Sequence, residues 1–131
     1  MAGISKGAAG EVIAARFLRE HGYDIVAVNV RSRLGEVDII AADKTYIAFV
    51  EVKTRGENDP VFSSPKEAVS LEKQEKIRKT AAMYLQHNKT DLQPRFDVIE
   101  IVTAAMDAPL AAKRVEHLKN AFEAGDLHAA F

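Results

Sequence analysis

The sequence contains no cysteine. That absence excludes disulfides and thiolate chemistry, and it points to a reducing compartment, so a cytoplasmic location is expected. It also lacks any apolar run near the ~20 residues that a membrane-spanning helix needs, and residues Met1 to Gly10 lack the apolar stretch of a signal peptide. No membrane partner is expected. There is no excess of basic charge either: the formal net charge is −1 and the isoelectric point about 6.4. A protein that coats nucleic acid non-specifically would be basic, so any phosphate binding must come from local patches or a bound metal ion. The four histidines, His21, His87, His117 and His128, are dispersed without zinc-ligand spacing. Gly3, Gly7 and Gly10 lead into no Gly-Lys-Ser/Thr phosphate loop, and no serine or histidine sits in a nucleophile elbow.

What is present is an ordinary globular composition, 47% hydrophobic and 28% charged over 131 residues. That length fits one domain over 1–131 with a single core. Residues 4–21 read as a helix, with Ile13, Ala14, Phe17 and Leu18 on one stripe. Gly3, Gly7 and Gly10 fall on the same face, which predicts close approach to a sheet; Glu11 lies at the stripe's edge. Three Val- and Ile-rich runs follow, Asp24 to Val30, Glu36 to Ala42 and Thr45 to Thr54, the last two joined by a short polar turn. Gly56 to Ser63 is a polar loop and a candidate flap. Ser64-Pro65-Lys66-Glu67 has the form of a capping box, and Ser70-Leu71-Glu72 opens a longer helix over 71–87. Ile77, Ala81 and Tyr84 give that helix its buried face. Arg95 to Val102 is a further strand, whereas Lys113 to Phe122 is ambiguous between helix and strand. The order implies an α/β fold with an antiparallel meander and helices on both faces.

The strand from Thr45 to Thr54 carries the chemistry. Ile47, Phe49, Glu51 and Lys53 share one face, and Ala48, Val50 and Val52 share the other. Both faces are largely apolar, so the strand is expected to be central and covered on each side. Glu and Lys are costly there unless they pair or bind an ion. A hairpin turning near residue 43 brings Asp38 of the preceding strand across from Glu51. Two facing carboxylates raise each other's pKa unless a cation lies between them. Mg²⁺ or Mn²⁺ suits such oxygen ligands, and Lys53 beside them could orient water or neutralise charge. A Glu-x-Lys pair on a strand is, in the bland reading, a solvated surface couple.

Several motifs in register carry a resemblance. Gly10-Glu11, Gly35-Glu36-Val37-Asp38 and Phe49-Val50-Glu51-Val52-Lys53-Thr54-Arg55 resemble the YraN family of small bacterial proteins. Ser64-Pro65, Ala68-Val69, Lys73-Gln74, Arg95-Phe96-Asp97-Val98, His117 and Asn120-Ala121-Phe122 continue the match in order. That family is similar to archaeal Holliday-junction resolvases and the wider PD-(D/E)xK nucleases. The resemblance implies a restriction-endonuclease-like core with a central mixed sheet. It implies metal ligation by Asp38 and Glu51 with Glu11 assisting, and a catalytic role for Lys53. Val37 stands where many such nucleases have proline. Gln74, in line with Ile77 and Ala81, is expected to contact the site or substrate. Arg31, Arg33, Arg55, Lys73 and Lys76 are candidate phosphate contacts; the alternative for the helix lysines is a mixed-charge surface. Asp97, between Phe96 and Val98, is expected to support the site from behind or to be structural, rather than to be a ligand.

The expected function is a Mg²⁺- or Mn²⁺-dependent endonuclease on structured or branched DNA, with DNA rather than RNA as the partner. Symmetric double incision would require a two-fold homodimer, which the resolvase likeness implies. The rivals are a nucleic-acid-binding or assembly module that keeps the fold without the chemistry, and a phosphodiesterase acting on RNA or nucleotides.

Overall fold

A computed structural model describes residues 6–58, 69–104 and 112–125. Gly3, His128, the capping-box segment Ser64 to Glu67 and most of the polar loop ending at Ser63 lie outside the described residues. Helix α1 spans Lys6–Glu20. It ends where Gly22 takes a left-handed φ of 88° and the Tyr23 N–H reaches back to the Leu18 carbonyl at 3.0 Å. Strand β1 (Asp24–Ser32) turns tightly through Arg33 and Leu34 into β2 (Gly35–Ala42). The Ser32 hydroxyl accepts from the Leu34 and Gly35 N–H groups and fixes that turn. The turn from β2 to β3 (Tyr46–Gly56) is held by Asp43, whose carboxylate accepts from the Tyr46 and Thr45 N–H groups at 2.7 and 2.8 Å. Those bonds hold its pKa below the usual range.

Helix α2 runs Leu71–His87, capped by Ser70, whose hydroxyl accepts from the Lys73 N–H. Strands β4 (Gln93–Thr103) and β5 (Ala112–Phe122) follow. The segment ambiguous in sequence is therefore a strand. The sheet order is β1-β2-β3-β4-β5, antiparallel at every pair except β3 with β4, which are parallel and connected through α2. The result is an α/β fold around one mixed sheet.

The two helices cover opposite faces. Ala14, Ala15 and Leu18 of α1 pack on Ile39, Ala48, Val50, Ile99 and Ile101. Ile77, Ala81 and Ala82 of α2 pack on Val37, Ile40, Ile47, Phe49, Phe96 and Val98. The central strands β3 and β4 are thus buried on both sides, as their continuous apolar runs require. On the α2 side Phe49, Phe96 and Phe122 stack in sequence across three strands, with centroids 5.5 and 5.1 Å apart.

Two glycines set how closely the helices approach. A Cβ on Gly10 would meet Thr54 Oγ1 at 2.5 Å, so α1 presses on the end of β3 there. A Cβ on Gly35 would meet Lys76 Cβ at 2.9 Å, where α2 crosses the β1–β2 turn. Gly7 differs from expectation: it is exposed, with nothing within 4 Å of its Cβ position. Among the described residues, no helix is long and apolar enough to cross a membrane.

Candidate functional site

The β2–β3 ladder runs from Ala42 opposite Ile47 to Ile39 opposite Val50. One more step would place Asp38 against Glu51, and here the strands part. The Asp38 carboxylate takes the place of a backbone acceptor: its Oδ2 receives the Val52 N–H at 2.8 Å. The alternation of β2 breaks at the same residue. Val37 and Ile40 both join the core beneath α2, while Ile39 and Ala41 face α1. A hairpin register and a local break thus bring two acidic side chains together at the edge of the core.

Asp38 has its pKa pushed up to about 6. Burial is the largest cause and the charge of Glu51 the second; the Val52 hydrogen bond and the Lys73 charge oppose them. Glu51 is only 4% exposed. Its Oε1 lies 2.6 Å from Lys73 Nζ and 3.8 Å from Lys53 Nζ. Burial works against the Lys73 charge, but the hydrogen bond and charge of Glu51 outweigh it and raise its pKa. Glu11, Glu36, Asp38, Glu51, Lys53 and Lys73 line one open cleft. Glu11 enters from α1, one residue after the pressed Gly10. Its pKa is also raised, first by partial burial and then by Asp38.

The donor set fits a hard divalent cation. Asp38 and Glu51 offer only oxygen, they repel each other, and Asp38 Oδ1 has no hydrogen-bond partner among the described residues. Among the described residues no three acidic or histidine side chains close into a metal cage. Two carboxylates with water and phosphate suffice for Mg²⁺, so the pair fits without a third protein ligand. Glu11 stands at the cleft without completing a three-carboxylate cluster.

Other expected site residues go elsewhere. Gln74 is 2% exposed and its amide is committed within the protein: Nε2 donates to the Val69 carbonyl at 2.9 Å and Oε1 accepts from Arg78 at 3.3 Å. It does not line the cleft. Arg55 is buried beside Glu100, with Nε 3.3 Å from Oε1 although the N–H is not aligned for a hydrogen bond. Its guanidinium is thus turned to an internal carboxylate rather than to a phosphate. Arg31 is exposed and loosely paired with Glu36 at 3.4 Å; Arg33 is exposed in the tight turn. Lys76 is exposed and pairs with Glu72. Lys73, expected to hold phosphate, is instead the closest cation to Glu51. Neither that contact nor the place of Glu36 in the cleft is expected from sequence. Lys73 stands in the first turn after the Ser70 cap, and its ammonium reaches Glu51 in the middle of β3.

Asp97 is held by internal partners. Fully buried on the α1 side of β4, its carboxylate accepts from Arg95 Nε and Nη2 at 2.8 Å and from the Asn120 N–H at 3.0 Å. His117 Nε2 lies 2.7 Å from Oδ2, and Tyr23 accepts from Arg95 at 2.7 Å.

A model of the uncharacterised protein family UPF0102 matches residues 10–101, from the start of the pressed segment of α1 into β4. The chain belongs to that family. It is the family to which the YraN resemblance pointed. A UPF0102 protein of Acetivibrio thermocellus is 44% identical over 118 residues, covering 88% of this chain and 89% of its relative. One from Clostridium botulinum is 44% identical over 121 residues, covering 89% and 93%. The matched region contains Glu11, Asp38, Glu51, Lys53 and Lys73, whereas His117 lies beyond the family match.

Proposed function

We propose that this protein is a metal-dependent endonuclease of the PD-(D/E)xK type, hydrolysing phosphodiester bonds in structured or branched DNA. The observation that carries the reading is the meeting of Asp38 and Glu51 where β2 and β3 part, with Lys53 on the same strand as Glu51. Asp38 and Glu51 would hold Mg²⁺ or Mn²⁺, and the ion would stabilise charge developing on the scissile phosphate. Lys53, partly exposed beside Glu51, is placed to orient the attacking water and offset that charge. Arg31, near the end of β1, and Arg33, in the turn after it, are exposed and available to hold the DNA backbone. DNA is favoured over RNA by the resolvase likeness of the motifs, and a homodimer would be needed for paired cuts.

A second reading keeps the fold as a non-catalytic nucleic-acid-binding or assembly module. The ion pair from Lys73 to Glu51 favours it, because that contact neutralises the carboxylate from within. Cleavage of labelled four-way-junction, flap, duplex and single-stranded DNA, and of RNA, with Mg²⁺ or Mn²⁺ separates the readings. Cutting that Glu51→Ala and Lys53→Ala both abolish is the expected result. DNA binding without cutting, unchanged in both variants, selects the second reading.

A further inference from the structure

Glu51 already carries a cation. Its Oε1 lies 2.6 Å from the Lys73 ammonium, against 3.8 Å for Lys53, and Glu51 itself is buried. So short a contact to a buried carboxylate is a charge-assisted hydrogen bond of the strong kind. The backbone behind it is anchored. Ser70 caps α2 by accepting from the Lys73 N–H, and its carbonyl accepts from the Gln74 N–H at 2.8 Å. The buried Gln74 amide donates to the Val69 carbonyl just before the helix. Helix α2 thus delivers the Lys73 side chain onto Glu51 from a fixed first turn.

A divalent ion held between Asp38 and Glu51 needs the same carboxylate. An ammonium on Oε1 and a doubly charged ion beside it repel, so the two exclude each other. Lys73 is the partner able to yield, because its side chain is 41% exposed against 4% for Glu51. It also has somewhere to go. Lys73 and Glu36 are shared by two adjoining clefts. One holds Asp38 and Glu51; the other lies between the β1–β2 turn and the start of α2, lined by Gly35, Ser70, Glu72 and Lys76. Glu36 and Glu72 on that side can receive an ammonium that leaves Glu51.

We propose that Lys73 is a built-in competitor for the divalent cation: its ammonium holds Glu51, yields the carboxylate to the ion, and turns into the side cleft. The inference rests on the cation reading of the cleft and adds a regulation to it. Cation affinity is set below the level that Asp38 and Glu51 alone would give.

The test uses the full chain and Mn²⁺ alone, titrated calorimetrically into wild type, Lys73→Met, Lys73→Gln and Lys76→Met. A hydrogen bond to a charged group carries a preference of about tenfold or more, and a site open for only part of the time loses affinity in that proportion. Both Lys73 variants should therefore bind Mn²⁺ at least about tenfold more tightly than wild type. Lys76 lines the side cleft and pairs with Glu72, so Lys76→Met removes a positive charge without freeing Glu51. It should change affinity by less than about twofold. Lys73 variants that bind as wild type does, or more weakly, overturn the competition. Equal tightening by Lys76→Met also overturns it, because the effect would then be one of general charge. Binding by none of the four proteins overturns the cation reading and this inference with it. A second readout is the Lys73 Cε signal of wild type titrated with Mg²⁺. It should move as the ion binds; an unmoved signal at saturation overturns the displacement even where the affinities agree.

Discussion

Two aspartates of one sheet have opposite surroundings. Asp97, on the α1 side of β4, is fully buried, and burial alone would raise its pKa. His117, Arg95 and the Asn120 N–H outweigh that cost and hold the carboxyl below the usual range. Asp38, at the parting of β2 and β3, has one backbone donor and a facing carboxylate, and its pKa is pushed up to about 6. A buried carboxylate with a full set of donors is a piece of architecture. One with a like-charged neighbour and few donors is held in its protonated form to a higher pH. Both Asp97 and Asp38 are strand residues amid apolar neighbours, so their partners, and the place of Asp38 at an open cleft, distinguish them.

Removing each carboxylate should move stability in opposite directions. Asp97→Ala leaves Arg95 buried without its partner, and urea denaturation should show a loss of about 3–5 kcal/mol. The Asp97 contribution is present above the unfolded pKa near 3.8 and is lost as pH falls through the lower folded value. A loss below about 1 kcal/mol would break the contrast.

Next in size is a test of the pressed helix that brings Glu11 to the cleft. Gly10→Ala places a Cβ 2.5 Å from Thr54 Oγ1, while the exposed Gly7 has open space. Thermal melting should show Gly10→Ala destabilised by about 1–3 kcal/mol. Gly7→Ala should be neutral or stabilised by up to about 1 kcal/mol. Equal effects at both positions would mean that α1 is not seated as described.

Asp38→Asn removes the repulsion with Glu51 but keeps an oxygen for the Val52 N–H. Metal-free protein should gain on the order of 1 kcal/mol at pH 7. The folded pKa, about 6, exceeds the unfolded value of 3.8, so the folded state holds this proton more tightly. Wild type is therefore not penalised below the unfolded pKa and is fully penalised once pH has risen through about 6. The advantage of Asp38→Asn should grow across that window; a constant advantage would assign it to another cause.

The smallest effects belong to the exposed arginines at the end of β1 and in the turn after it. Arg31→Ala and Arg33→Ala should change stability by less than about 0.5 kcal/mol. In salt titrations of DNA binding, each arginine that meets a phosphate should lower the slope by about one. Unchanged slopes would remove the β1–β2 turn from the DNA-binding surface.

The parts legible in sequence are those fixed by period and register. The span of α2 follows from its cap and its Ile77–Ala81 stripe, and β3 from apolar runs on both faces. The approach of Asp38 to Glu51 follows from the hairpin register once the turn is put near residue 43. Strand β5 was not legible because it is an edge strand, mostly polar on both sides, and its identity comes from pairing with β4. The internal contacts of Gln74 and Arg55 were not legible because their partners, Val69 with Arg78 and Glu100, emerge only in the folded chain. The same is true of the contact between Lys73 and Glu51.

The most direct test of the cation account is a calorimetric Mn²⁺ titration at pH 7.5 of wild type, Asp38→Asn and Glu51→Gln. Wild type should bind one ion, both variants should bind at least about tenfold more weakly, and wild-type affinity should fall as pH drops below about 6. Equal binding in all three proteins, or no binding by wild type, would contradict the account.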